Sequence, residues 1–308
     1  MIYEFAIEPD LVATWGNPSD YRFFADKFGL GTARIMSEFP KLKNWRRQIL
    51  GAAAGVEDLD LGRITALIGL LTEKKITRQN VQYNGTISWL ENAEAEHNRN
   101  NFHAILSTKN PRNHTDVMIG KSLGVNPDKR WNLEAEKVVE RKAYKMAESV
   151  ISMLSNCTIA IFIDPHFGPE RDHYRKTIKQ FMKSLTQNRN NLPLDRVEIH
   201  TQEKSTADFF KKECKANMSA CIPPTLKVRF VRWKQKRGGE KLHNRYILTD
   251  IGGVKFTVGL DEGRAGETDE ITLLPKETYE LRWNQYASDE PAFDFVDEIY
   301  IPDGDPTS

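Results

Sequence analysis

The chain has 308 residues, of which 39% are hydrophobic and 28% charged, and its formal net charge is +1. These values fit a soluble globular protein with room for one large domain or two moderate ones. They exclude a uniformly basic nucleic-acid coat, so any case for nucleic-acid binding rests on local clustering of charge.

The N-terminus, MIYEFAIEPDLV, carries acids and has no basic flank before an apolar run, so no signal peptide is expected. Residues 1–130 read as a helix-rich accessory region, a candidate surface for a protein partner. Ile2–Ile7 has the pattern of a short strand. Ser19 is placed to cap a helix carrying Tyr21, Phe23, Phe24 and Phe28, ending at Gly29. Leu42–Ala54 is apolar with the basic pair Arg46–Arg47, and Leu61, Ile64, Leu67, Ile68 and Leu71 repeat at helical spacing. Phe102–Leu106 reads as a strand and Asn110–Lys129 as loop.

Residues 131–308 give a clearer pattern. Asn132 is placed to cap a helix with Glu134 and Glu136 in its first turn and Val139, Ala143, Met146, Val150 and Leu154 on its apolar face. Thr158–Ile163 is a continuous apolar run, as a strand buried on both faces requires. A helix over Pro169–Leu185, a strand over Arg196–His200, a helix over Thr206–Ala216 and strands over Leu226–Trp233, 242–250 and Val254–Val258 follow. That order predicts an α/β fold, a mixed β-sheet flanked by helices. The polar tail after Pro302 is expected to fray. Cys157, Cys214 and Cys221 form no C-x2-C pair, which argues against a disulfide framework or a zinc ribbon. The longest apolar stretches, Ile64–Leu71 and Ile159–Ile163, are too short to span a bilayer, so a cytoplasmic protein without a membrane partner is expected.

Within LHNRYILTD (residues 242–250), His243, Arg245 and Asp250 stand in an H-x-R-x4-D spacing. Two residues apart on a strand, His243 and Arg245 project from one face. An imidazole there can serve as nucleophile or base, and a guanidinium can hold a phosphate through two parallel hydrogen bonds. Asp250 can accept from an imidazole N–H and fix its tautomer, in its own chain or across a subunit boundary.

The spacing resembles the H-x-K-x4-D motif of the phospholipase D superfamily, with arginine in place of the usual lysine. The resemblance extends to the Gly252-Gly253 turn, the following strand, the turn Gly259-Leu260-Asp261-Glu262-Gly263, and the upstream TIAIFIDPHF (residues 158–167), although the superfamily's Gly-Ser-x-Asn turn is matched only loosely. It implies a metal-independent phosphodiesterase without cofactor. His243 attacks phosphorus to give a phosphohistidine, a second histidine protonates the leaving oxygen, and water releases the product. One motif per chain implies a homodimer with paired motifs. Compact proteins of this kind also serve as effectors in bacterial defence.

Plainer readings stand beside these. His243, Arg245 and Asp250 suit a half-buried strand with polar residues facing solvent. Asp164 suits a turn cap, and His166 is the in-chain candidate for a second imidazole. Asp261 and Glu262 either line the site or accept from backbone N–H groups and pair with Arg245. The run containing Arg232, Trp233, Lys234, Lys236, Arg237 and Lys241 reads as a basic β-ribbon with an aromatic for base stacking, or as a solvated hairpin tip at Gly238-Gly239. Asp195, Glu198 and His200 lie close in sequence, but the E-x-K of Glu213-Cys214-Lys215 falls in a helical stretch, so no metal site is expected. The expected activity is that of a nuclease on DNA or RNA. The alternatives are a phosphate-binding scaffold module and a phospholipid-acting enzyme.

Overall fold

Five short strands in the first part of the chain pair side by side and all run parallel: β1 (Tyr3–Ile7), β2 (Arg34–Ser37), β3 (Lys75–Ile76), β4 (Ala104–Ser107) and β5 (Val117–Ile119), in the order β3-β2-β1-β4-β5. They belong to a computed structural model that describes residues 1–125, 128–187, 189 and 192–302. The chain divides into two compact units. One comprises Ile2–Glu134 with 190–192, and the other Met1, Ala135–Arg189 and the chain from Pro193 onward. The polar tail after Pro302 lies outside the described residues.

The first unit is more than a helical region. Its helices α1 (Pro9–Ala13), α2 (Pro18–Ala25), α3 (Leu42–Ala52), α4 (Asp58–Glu73) and α5 (Trp89–Arg99) surround the parallel sheet. Phe5, Ile7, Trp45, Ile64, Leu67 and Leu106 share one buried cluster, the sheet and the amphipathic faces closing on each other. Asn17, not Ser19, caps α2, its side chain accepting from Asp20 N at 2.9 Å. The expected loop at 110–129 contains β5.

The second unit is the predicted mixed α/β sheet. Its elements are β6 (Glu136–Glu140), α6 (Ala143–Asn156), β7 (Ile159–Ile163), α7 (Asp172–Thr186), β8 (Arg196–Gln202), α8 (Ala207–Asn217), β9 (Val228–Lys234), β10 (Arg245–Thr249), β11 (Gly252–Phe256), β12 (Thr268–Leu273), α9 (Lys276–Ala287) and β13 (Asp294–Ile301). The sheet order is β13-β9-β8-β7-β10-β11-β12-β6. β7, β8 and β9 are parallel and the other pairs antiparallel. The helix expected from Asn132 begins only at Ala143, because 136–140 extends along β12 as an edge strand.

Strand alternation assigns the central side chains to two faces. Phe162 of β7 and Phe256 of β11 point at α7, where Phe181 lies 5.4 and 6.2 Å from them between ring centroids. Tyr246 of β10 points the other way, towards α9, with Arg282 over its ring at 5.6 Å. Tyr279 of α9 donates its hydroxyl to Thr249 O at 2.6 Å. Both faces are covered, which is why β7 reads as an unbroken apolar run.

β9 and β10 are not a ribbon. β8 and β7 lie between them, so residues 235–244 cross from the carboxyl end of β9, past the ends of β8 and β7, to the start of β10. This crossing sets the position of the H-x-R motif.

Candidate active site at the carboxyl edge of the second sheet

β10 runs antiparallel to β7, with Tyr246 opposite Ile163. One step outward from that pair, Arg245 comes level with Asp164 on the face that carries Phe162. Beyond Asp164 the chain turns at Pro165–His166, and His243 lies just before β10. The H-x-R motif and the IDPHF loop, some 80 residues apart in sequence by the numbering, therefore leave the sheet at one edge. This is the carboxyl end of the parallel strands, where open α/β sheets gather ligands.

Asp164 holds that edge together. Its carboxylate is buried and accepts from His166 N at 2.8 Å and from Leu260 N at 2.9 Å, joining the exit of β7 to the turn after β11. Burial raises its pKa, opposed by the two backbone hydrogen bonds and by Arg245. A Cβ on Gly259 would lie 3.5 Å from Asp164 Oδ2 and would displace the Asp261 carboxylate. The turn-cap reading of Asp164 describes its contacts.

His243 lies just before β10 and is exposed. Its Nδ1 is 3.1 Å from Lys241 O. A carbonyl only accepts, so Nδ1 carries a proton, and the neutral ring then has its lone pair on Nε2. Arg245 donates Nη1 to His243 O at 2.8 Å, which steadies the backbone of the motif, while its Nε has no partner. The guanidinium charge also acts on His166 and Lys204. Lys204, from the loop after β8, meets His166 Nδ1 through Nζ. Burial first, then Lys204, lowers the pKa of His166, whose ring is exposed at the mouth of the site. Lys204 was missed in the sequence; its position directly beyond a strand neighbouring β7 was the available signal.

Asp250 is not at this site. It follows the far end of β10, five strand residues at about 3.3 Å each from Arg245. Its carboxylate accepts from Thr158 N at 2.8 Å, Ile159 N at 3.0 Å and Thr158 Oγ1 at 3.0 Å, pinning the start of β7. It cannot orient His243 within one chain; the Lys241 carbonyl takes that place. Asp261 pairs with Arg141 at 2.7 Å rather than with Arg245. Glu262 accepts from Ala143 N at 3.1 Å at the start of α6. Both are structural acids beside the site.

Two members of the basic run are buried. Arg232, 1% exposed, forms a bidentate pair with Asp297 at 2.6 Å and lies over Phe210 at 5.0 Å. Trp233, 5% exposed, donates Nε1–H to His200 Nδ1 at 3.1 Å, so it offers no face for stacking a base. β13 covers the edge of β9 and supplies the acids that neutralise Arg232 and Arg229. Lys234, Lys236, Arg237 and Lys241 remain exposed, the last three on the crossing segment. Among the described residues, no group of three or more His, Cys, Asp or Glu side chains is arranged to hold a metal ion, and no helix is long and apolar enough to cross a membrane.

No protein-family model matches the chain, and no curated protein matches it. Among solved structures, it is similar to the archaeal chromatin protein TrmBL2, described as showing a novel mode of DNA binding, at 10% identity and a TM-score of 0.26. The match covers 53% of this chain and 54% of that one, so the chain spans about half the length of that relative. Neither fold nor function carries over at that level.

Proposed function

We propose that the protein is a metal-independent phosphodiesterase of the phospholipase D-like kind, acting on nucleic acid. The observation that carries this reading is the tautomer of His243. Its Nδ1–H is held by Lys241 O, which leaves Nε2 free to attack phosphorus at an exposed sheet edge. Arg245, two residues on and bonded to His243 O, supplies a cation for the charge that develops on the phosphoryl oxygens. Attack forms the Nε2–P bond and breaks the P–O bond to the leaving group. Water then cleaves the phosphohistidine. Nucleic acid is preferred over phospholipid because the crossing segment brings exposed Lys236, Arg237 and Lys241 past the mouth of the site.

The test is cleavage of single- and double-stranded DNA and RNA in excess EDTA. Wild type is expected to cleave at least one of them, and His243→Ala to lose activity by several orders of magnitude while keeping its unfolding midpoint. Full turnover by folded His243→Ala removes the nucleophile assignment. Binding without turnover supports instead a phosphate-binding module, a reading favoured by the use of the Arg245 Nη1 on its own chain. Turnover of phospholipid vesicles alone points to a lipid substrate.

A further inference from the structure

The reading above leaves one proton unassigned. The oxygen that departs from phosphorus leaves as an alkoxide and needs a proton. His166 lies at the same edge, within the electrostatic reach of the Arg245 guanidinium that bonds His243 O, and its Nδ1 is occupied by Lys204 Nζ. An ammonium only donates, so Nδ1 accepts and the ring proton sits on Nε2. A neutral imidazole cannot release that proton alone, because imidazolate would result. It can do so if a second proton arrives at Nδ1 in the same step, and Lys204 holds one at that atom.

We propose that Lys204 and His166 form a proton relay to the leaving oxygen, so that the phosphodiesterase site on whose reading this rests is complete within one chain. As the P–O bond breaks, His166 Nε2–H passes to the leaving oxygen and a Lys204 proton passes to His166 Nδ1. The lysine ends as a neutral amine, and the imidazole stays neutral in its other tautomer. In the second step, water attacking the phosphohistidine gives its proton to His166 Nε2, and the Nδ1 proton returns to Lys204. The relay ends as it began. Lys204 does not touch the substrate; it acts through His166. The charged groups facing the pair are Asp164 from the end of β7, Arg171 at the start of α7 and Arg245 from β10. Burial, then Arg171 and Arg245, push Lys204 below its ordinary 10.5 against the pull of Asp164, the direction an acid in this role requires.

The leaving group supplies the test. An alkoxide needs the proton and a p-nitrophenolate does not. Lys204→Arg keeps the charge but cannot readily surrender a proton. It is expected to slow cleavage of a dinucleotide about 100-fold, and to slow a p-nitrophenyl nucleotide diester far less. Equal losses on both substrates overturn the relay and reduce Lys204 to a charge. Nitrogen-15 shifts of the His166 ring give a readout independent of turnover. Wild type is expected to show the Nε2–H tautomer, and Lys204→Met to raise the pKa of His166; an Nδ1–H tautomer in wild type overturns the relay even in an active enzyme. A wild type that shows the Nε2–H tautomer but cleaves neither diester overturns the phosphodiesterase reading, and the relay with it. Mixing His243→Ala with His166→Gln is expected to restore nothing. Recovered activity means that the two imidazoles of one site come from different chains.

Discussion

Three histidines of the second unit, His166, His200 and His243, differ in what holds their ring nitrogens. His243 gives Nδ1–H to a carbonyl, and His166 Nδ1 accepts from an ammonium. His200 is sealed in the core, with Nδ1 accepting from Trp233 Nε1–H and Nε2 2.9 Å from Glu198 Oε2. A ring that accepts at one nitrogen and donates at the other is neutral, and burial lowers the His200 pKa in keeping with this. Burial raises Glu198, but hydrogen bonds from His200 and Arg229 and the nearby charges outweigh it and bring it to about 2. The unfolded chain protonates His200 below about 6.5 and Glu198 below about 4.5, and the folded chain resists both. Stability is therefore full at pH 7.5 and declines as pH falls through 6.5, by up to about 1.4 kcal/mol per pH unit from His200 alone. Below 4.5 the stabilisation from Glu198 is lost as well. Urea unfolding followed by Trp fluorescence is expected to give a steeper loss between pH 7.5 and 5 for wild type than for His200→Gln; parallel slopes rule out a neutral His200. None of this was legible in sequence, where Glu198 and His200 are simply close together with no metal site expected, and Trp233 reads either as a stacking platform or as part of a solvated hairpin. The alternation of β9 shows which residues share a face, but whether that face is buried depends on β13, some 60 residues downstream by the numbering.

At the scale of elements, long periodic stretches were legible, as were the short strands β1 and β4, but the other short strands of the first unit were not. β7, β8, β9, β10, α4 and α8 follow from their apolar spacing. β2, β3 and β5 have four, two and three residues, too few for a period to appear, so the first unit reads as helical although its centre is a parallel sheet. α9 buries only Tyr279 and Tyr286, and β13 buries only Ile299 and Ile301, so neither has an amphipathic signature. β10 was found, but its two ends serve different purposes that the H-x-R-x4-D spacing merges. Its start has Arg245 with His243 just before it, and its end is followed by Asp250, which closes the start of β7 with three hydrogen bonds. Asp250→Ala is expected to cost about 2 kcal/mol in urea unfolding, the scale of backbone donors losing a charged acceptor. The Lys241–His243 contact at the other end of the strand should be unaffected. A variant that keeps wild-type stability but loses catalysis returns Asp250 to the chemistry, through a partner chain.

Over the whole molecule, a net charge of +1 provides no general attraction for a polyanion. Salt-dependent binding must therefore come from where cations are concentrated and free of acids. In the second unit, Arg229 and Arg232 are neutralised by Glu198, Glu298 and Asp297. The crossing segment keeps Lys236, Arg237 and Lys241 exposed, with Lys236 Nζ donating to the Pro291 carbonyl rather than to an acid. These three side chains lie on the only chain segment joining β9 to β10, at the edge that carries His243 and Arg245. Each phosphate they neutralise releases counterions, so the logarithm of affinity should fall with the logarithm of salt by somewhat less than one unit per contact. Replacing all three with alanine is expected to reduce the magnitude of that slope by about 2, and to weaken binding at low salt far more than at high salt. The substitutions are exposed and should leave the unfolding midpoint within about 0.5 kcal/mol of wild type, so a change in slope cannot be ascribed to unfolding. An unchanged slope in a stable triple variant means that phosphates do not track the crossing segment. The nucleic-acid preference then loses its support, while the His243 site stands as an edge suited to a smaller phosphodiester.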